Sequence, residues 1–308
     1  MLTASDFIQP LFIVDDPQKA TSVDAMPGVT RFALPQLADK AKEVYELGIP
    51  AVILFPVIDP SLKDNQASEA SNPEGLVPKA IQIIKQAQPD LGVITDVALD
   101  PYTSHGLDGL VDETGYVLND ATLAVLTEQA LMHARSGADM LGPSDMMDGR
   151  VGVIRDALEK QNFVNTQIMA YSAKYASAFY GPFRDAVDSS MHLRGASKAS
   201  FQMDPANGME ALHEVALDLE EGADVVLIKP AGAYMDIIYR VKKQFKRPVF
   251  AYQVSGEYAM LKAAAQQGWI NEQACVLESL VSLKRAGADA IITYFASDCA
   301  QWLQDAKH

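Results

Sequence analysis

The chain has almost no cysteine, too little positive charge to balance its acids, no long apolar run and no dinucleotide-type glycine cluster. Its two cysteines among 308 residues, Cys275 and Cys299, form no C-x-x-C pair, which excludes a disulfide framework and fits a reducing compartment. Lys and Arg number 25 against 40 Asp and Glu, a formal net charge of −15 at pH 7 with pI ≈ 4.7. That balance opposes non-specific binding to nucleic acid or anionic membranes and leaves a small molecule as the expected partner. Nowhere do 18 apolar residues run uninterrupted, and the opening MLTASDFIQPLFIVDD has no basic n-region, so a cytoplasmic protein is expected. No G-x-G-x-x-G joint occurs, which disfavours a doubly wound nucleotide-binding sheet.

What is present is a large apolar fraction, 49%, and a repeated joint. Three fragments share one grammar: SGADMLGPS (136–144), EGADVVLIKP (221–230) and AGADAIITYF (286–295). In each, a helical stretch stops at Gly, the residue a left-handed cap favours, and Ala-Asp then leads into a β-rich run. With these joints as anchors, further strands are expected at Ala51–Val57, Gly92–Leu99, Gln167–Ala173, Ser200–Met203 and Pro248–Val254, eight in all. Helical periodicity lies between most of them, over Asp120–Arg135, Met209–Glu220, Tyr234–Phe245, Tyr258–Gln267 and Gln273–Arg285. Eight βα units predict one closed (β/α)8 barrel spanning residues 1–308. Two stretches exceed a minimal barrel: the polar segment 58–75 and the irregular segment 181–199, which holds Arg184, Arg194 and Lys198 and is expected to act as a lid after the fourth expected strand.

Barrel chemistry sits at the C-terminal ends of strands. There the sequence places Asp96, Asp100, His105 and Asp108; Ser144 and Asp145; Lys174; Lys229; Tyr252 and Ser255; and Tyr294. Lys229 ends the apolar run Val225–Ile228, so its amine must snorkel to water or occupy a pocket that uses an amine. Asp100, Lys174, Lys229 and Tyr294 all fall on even-numbered expected strands, which predicts one shared layer. Two neighbouring, buried ammonium groups should each lose basicity. At an ordinary pKa of 10.4 about 0.04% of a lysine is neutral at pH 7, whereas at roughly 7.5 about a quarter is. Such an amine is a Schiff-base nucleophile, and the implied substrate is a ketone or aldehyde. A single lysine at a strand end is more often a salt-bridged or snorkelling residue; the pair beside carboxylates and a tyrosine favours catalysis.

The stretches YSAKYASAFYGPFRDA, VVLIKP, AYQVSGEYAML and GADAIITYF closely resemble the porphobilinogen synthase (5-aminolevulinate dehydratase) family, from IQPLFI to the last helix. The resemblance implies condensation of two 5-aminolevulinate molecules into porphobilinogen, with loss of two waters, for tetrapyrrole and haem biosynthesis. It implies that Lys229 forms the Schiff base on the propionate side and Lys174 holds the acetate-side substrate. Ser255 and Tyr294 match one carboxylate clamp, Arg184, Lys198 and Gln202 the other, and Phe183 and Tyr252 the pocket wall. Asp96, Asp100 and Asp108 are implied in catalysis, through proton transfer or by orienting the substrate amine. A Schiff-base aldolase would need one lysine and a phosphate cradle that the seventh and eighth joints lack, and a non-catalytic barrel would have lost a lysine or a clamp.

Zinc-using members carry three cysteines where this chain has Ala98, Asp100 and Asp108, so the resemblance implies no active-site Zn2+ and an aspartate-rich, magnesium-type class. Glu214 and Asp218 share a helix face. With Asp145 they are implied to form an allosteric rather than catalytic Mg2+ site, held largely through waters at a subunit boundary. His105, in a turn ending SHG, reads as structural. The family's N-terminal arm is expected to be short here and its metal-associated arginine missing, so a homo-oligomer is expected with octamer, hexamer and dimer all open.

Overall fold

A computed structural model describes residues 1–187 and 198–306; Arg194, expected in the lid, lies outside them. Strands are β1 (Phe7–Val14), β2 (Arg31–Ala33), β3 (Ala51–Pro56), β4 (Gly92–Val97), β5 (Met140–Pro143), β6 (Gln167–Lys174), β7 (Val225–Lys229), β8 (Val249–Tyr252) and β9 (Ala290–Ile292). All pair in parallel in the order β2-β1-β3-β4-β5-β6-β7-β8-β9, and β1 also pairs with β9, through Phe7↔Ile291 and Ile8↔Ile292. Eight strands therefore close into the expected (β/α)8 barrel, with β2 added outside it on β1.

Helices return the chain between strands: α1 (Leu37–Glu46), α2 (Leu76–Ala87), α3 (Asn119–Arg135), α4 (Arg150–Lys160), α5 (Gly181–Ala186), α6 (Glu210–Glu220), α7 (Met235–Phe245), α8 (Ser255–Gln266), α9 (Glu272–Ala286) and α10 (Ala296–Asp305). The expected helical spans fall on α3, α6, α7, α8 and α9 to within three residues at each end.

The count of eight was reached through two compensating differences. Phe7–Val14, buried at every position, is the first barrel strand and was not expected as one. Ser200–Met203 is not a strand; it follows a 3-10 turn at Lys198–Ser200 and makes one isolated parallel bridge, Tyr175↔Met203. Counted around the barrel, Lys174 thus ends the fifth strand and Lys229 the sixth. The even-strand layer does not exist, and the lid segment follows the fifth barrel strand. The lysines are instead register neighbours, Lys174↔Lys229 on β6 and β7, so both side chains leave the sheet on the same face.

The Gly-Ala-Asp joints perform one task three times at the opposite end of the barrel. Gly137, Gly222 and Gly287 have φ of +102°, +103° and +121°, a conformation in which a Cβ is strained. The aspartate that follows each accepts the backbone N–H of the neighbouring strand: Asp139 from Val93 at 2.8 Å, Asp224 from Ile168 at 2.8 Å, Asp289 from Val249 at 2.8 Å. Each also pairs with a cation from a helix, Lys85 at 2.9 Å, Arg155 at 2.6 Å and Lys242 at 2.6 Å.

Candidate active site

At the C-terminal end of the barrel a small cavity of about 50 Å3 is lined by Phe55, Asp96, Asp100, Asp108, Ser144, Lys174, Tyr180, Phe183, Arg184, Lys198, Gln202 and Lys229, among others. The two lysines, three aspartates and Arg184, Lys198, Gln202 and Phe183 named from the sequence therefore meet in one place. Ser255, Tyr252 and Tyr294 do not line it. The Phe183 backbone N–H donates to Ser255 Oγ at 2.9 Å, and the hydroxyls of Tyr252 and Tyr294 bond each other at 2.8 Å.

Lys229 is enclosed by aromatic rings. Its Nζ lies 4.6 Å from the ring centre of Tyr252, 5.2 Å from Tyr180, 5.3 Å from Phe183 and 5.4 Å from Tyr171. Ring faces favour an ammonium by about 0.5–1 kcal/mol each, less than the several kcal/mol that full loss of hydration costs a charge. Burial, and next the charge of Lys174, accordingly bring the Lys229 amine down from 10.5 to about 7. Close to half of it is then neutral at pH 7, a rise of roughly three decades over an ordinary lysine.

The other amines are tied to carboxylates. Lys174 Nζ donates to the Ser144 carbonyl and stands 3.4 Å from Asp108 Oδ1. Lys198 Nζ bridges Asp100 Oδ2 at 2.9 Å and Asp108 Oδ2 at 2.7 Å, so an ammonium occupies the space between the two aspartates. Burial would raise the Asp108 carboxyl, but Lys198 and then Lys174 outweigh it and hold the group below its usual range. Asp96 goes the other way: burial, then the charge of Asp100, push it up to about 7. An amine and a carboxyl that both titrate near neutrality thus share one pocket, the arrangement that proton transfer at pH 7 requires.

Two neighbours of the Lys229 amine, Tyr171 and Tyr180, were missed in the sequence. Tyr171 lies on β6 with a buried hydroxyl, and its ring fits because β5 has glycine opposite it: a Cβ on Gly142 would come within 3.2 Å of Tyr171 Cε2. Tyr180 donates through its hydroxyl to the Tyr175 carbonyl at 2.7 Å and to the Lys229 carbonyl at 3.3 Å, so one ring both covers the amine and braces its strand. Ser144 accepts from Lys174 through its carbonyl. The aromatic density of AYSAKYASAFYGPF was the one available signal for the tyrosines. His105 Nδ1 accepts the Leu107 N–H within its own turn at 3.2 Å.

The expected metal residues are arranged differently from a ligand set. The Arg150 guanidinium stands between them, 3.4 Å from Asp218 Oδ1 and 3.9 Å from Asp145 Oδ2. Asp145 and Asp218 are buried, and Glu214 faces a neighbouring groove with Asp148 and Glu210. Among the described residues no three His, Cys, Asp or Glu side chains converge to hold a metal. Direct binding of Mg2+ by all three carboxylates does not fit. A hydrated ion reached from Glu214 does, since Mg2+ commonly keeps several waters and burial followed by the charge of Asp218 raises the Glu214 carboxyl in the absence of a cation.

Fold and site together define a TIM-barrel enzyme whose pocket presents amines to a small substrate. A sequence model of the delta-aminolevulinic acid dehydratase family matches residues 1–302. The enzyme of that name from Bradyrhizobium diazoefficiens is 52% identical, over 99% of this chain and 86% of its own length; the Bacillus subtilis one is 49% identical, over 99% and 92%. A crystal structure of the Toxoplasma gondii enzyme in complex with the reaction product porphobilinogen superposes with a TM-score of 0.97 at 48% identity, over 100% of this chain and 87% of the other. The chain belongs to the delta-aminolevulinic acid dehydratase (porphobilinogen synthase) family. An aldolase superposes with a TM-score of 0.53 at 14% identity, which reflects the barrel alone.

Proposed function

We propose that Lys229 and Lys174 are the two nucleophiles of the reaction that family membership assigns to this chain, the condensation of two 5-aminolevulinate molecules to porphobilinogen. The observation that carries the reading is the register pair Lys174↔Lys229 together with the four aromatic rings around the Lys229 amine. Each amine attacks one ketone, giving a carbinolamine that loses water to an imine; two imines account for both waters lost. The new C–C and C–N bonds of the pyrrole then replace the imine bonds and return both lysines as free amines. Asp96 is placed to give a proton to the departing carbinolamine hydroxyl and to take it back later, because its carboxyl titrates near 7.

Each substrate also brings a carboxylate. Arg184, Lys198 and Gln202 line the cavity and supply donors for one of them; the hydroxyls of Ser255 and Tyr294 would serve the other. Ser255 is engaged by the Phe183 N–H and Lys198 by Asp100 and Asp108, so substrate carboxylates must displace these bonds to reach both clamps. Closure of the lid segment over bound substrate excludes water from a reaction that proceeds by dehydration. Mg2+, held through waters from Glu214 with Asp145 and Asp218 behind it, is read as a stimulator rather than a participant. A cytoplasmic homo-oligomer completes the proposal; the free thiols of Cys275 and Cys299 support a reducing compartment.

The test is pyrrole formation from 5-aminolevulinate alone, assayed in EDTA and with added Mg2+, with borohydride trapping and peptide mass spectrometry in parallel. Product in EDTA that increases with Mg2+, and a reduced adduct on Lys229, are expected. Lys229→Ala and Lys174→Ala should each lower turnover by about 10^4-fold or more with unchanged circular dichroism; near-normal activity in either removes that lysine from the mechanism.

A further inference from the structure

Arg31 lies on β2, which is not needed to close the barrel, in the segment MPGVTR (26–31). Its guanidinium reaches across 155 positions of sequence to the end of α5: Nε donates to the Ala186 carbonyl at 2.7 Å and NH2 to the Asp185 carbonyl at 2.9 Å. The last carbonyls of a helix lack partners within it and carry its partial negative charge, so a forked cation satisfies both needs. The support under Arg31 is itself fixed. Its backbone pairs with Phe12 of β1, and the preceding loop is tied to α8 by the Tyr258 hydroxyl, which donates to the Pro27 carbonyl at 2.7 Å.

The other side of α5 carries Phe183 and Arg184. Phe183 packs its ring on Phe12 and Phe55, at 5.6 and 5.2 Å between centres, lies over the Lys229 amine and hangs by its N–H from Ser255. Arg184 faces the cavity. One register pair, Phe12↔Arg31, therefore holds α5 twice, by a ring on its inner side and by a fork at its end.

We propose that Arg31 is a positioning residue for the condensation: from outside the barrel it latches the C-terminal turn of α5 and so sets where Phe183 and Arg184 stand over the amine pocket. The proposal rests on the reading of Lys229 as a Schiff-base nucleophile. It assigns a role to a side chain that touches no substrate, and it needs the arginine fork, because a lysine offers a point charge that does not span two carbonyls in fixed geometry. Releasing the latch admits water to the pocket, which weakens substrate capture and restores hydration to the amine.

Wild type, Arg31→Lys and Arg31→Ala are compared as full-length enzymes by three readouts. In Arg31→Ala, KM for 5-aminolevulinate should rise by about tenfold while kcat stays within about threefold. The pH midpoint for borohydride trapping at Lys229, near 7 in the wild type, should move up by about one unit as burial is relieved. Amide exchange over 181–187 should accelerate by about tenfold or more, with Arg31→Lys between the two. KM, midpoint and exchange all unchanged in a folded Arg31→Ala would overturn the latch. Should that variant not fold, Arg31→Lys decides on the same readouts. A wild type that is not trapped at Lys229 defeats the Schiff-base reading instead, and the exchange rates then decide the latch by themselves.

Discussion

At the scale of single residues, Lys229 and Asp96 are coupled, and the coupling gives a test with a defined sign. The negative charge of Asp96 raises the Lys229 amine, against the larger lowering by burial and Lys174. Asp96→Asn removes that charge, so the trapping midpoint of Lys229 should shift to lower pH, and on the proposed proton-transfer role of Asp96 kcat should fall by about 10^2–10^4-fold. A fall in kcat with the midpoint unmoved, or moved to higher pH, would separate the two groups. The amines and carboxylates of this site were legible in sequence because polar side chains at the ends of apolar strands are conspicuous. Tyr171 and Tyr180 were not, since an aromatic residue in a barrel reads as core whether or not it surrounds an amine. Arg150 was hidden for a related reason: periodicity places Glu214 and Asp218 on one helix face, but nothing in their spacing reveals that a guanidinium from α4 fills the space before them.

At the scale of elements, the five helices expected from the sequence were read nearly to their ends while two strands were misassigned, and the cause is physical. A helix displays its period over ten or more residues, whereas a barrel strand buried on both faces is a short apolar run without alternation. Phe7–Val14 lacks even an uninterrupted run, because Gln9 and Pro10 break it; Gln9 is nevertheless buried and accepts from Ser297 N–H at 3.1 Å. The Gly-Ala-Asp joints were legible as joints, but their side-chain task appeared only in three dimensions. That task predicts stability without activity. Asp139→Ala, Asp224→Ala and Asp289→Ala each leave a strand N–H without its carboxylate and a helix cation without its partner. Each should cost about 1–3 kcal/mol in urea unfolding with kcat/KM for 5-aminolevulinate preserved, since this end of the barrel carries fold rather than chemistry. The corresponding asparagine variants, which retain an acceptor, should recover part of the loss. Equal losses of activity and stability would contradict the division of labour between the two ends.

At the scale of the whole molecule, acid stability brings together groups that pull in opposite directions. Asp96 and Asp145, raised to about 7 and about 6 mainly by burial, bind protons in the fold that the unfolded chain releases, so each favours the native state as pH falls toward 4. His133 on α3 opposes them. Its ring is buried against the barrel with Nδ1 3.0 Å from Thr95 Oγ1 on β4, and burial lowers it from 6.5 to about 3. Between those values the unfolded chain binds a proton that the fold excludes, so His133 withdraws stability as pH drops through 6.5 and continues to do so toward 3. One proton corresponds to a slope of up to about 1.4 kcal/mol per pH unit. His133→Gln keeps a polar partner for Thr95 and does not titrate. The difference in unfolding free energy between wild type and variant, measured from pH 7 to pH 4, cancels the carboxylates common to both. It should move in favour of the variant by about 1 kcal/mol per unit below pH 6. A pH-independent difference would mean that the ring accepts its proton in place, and that α3 can part from β4 without unfolding the barrel.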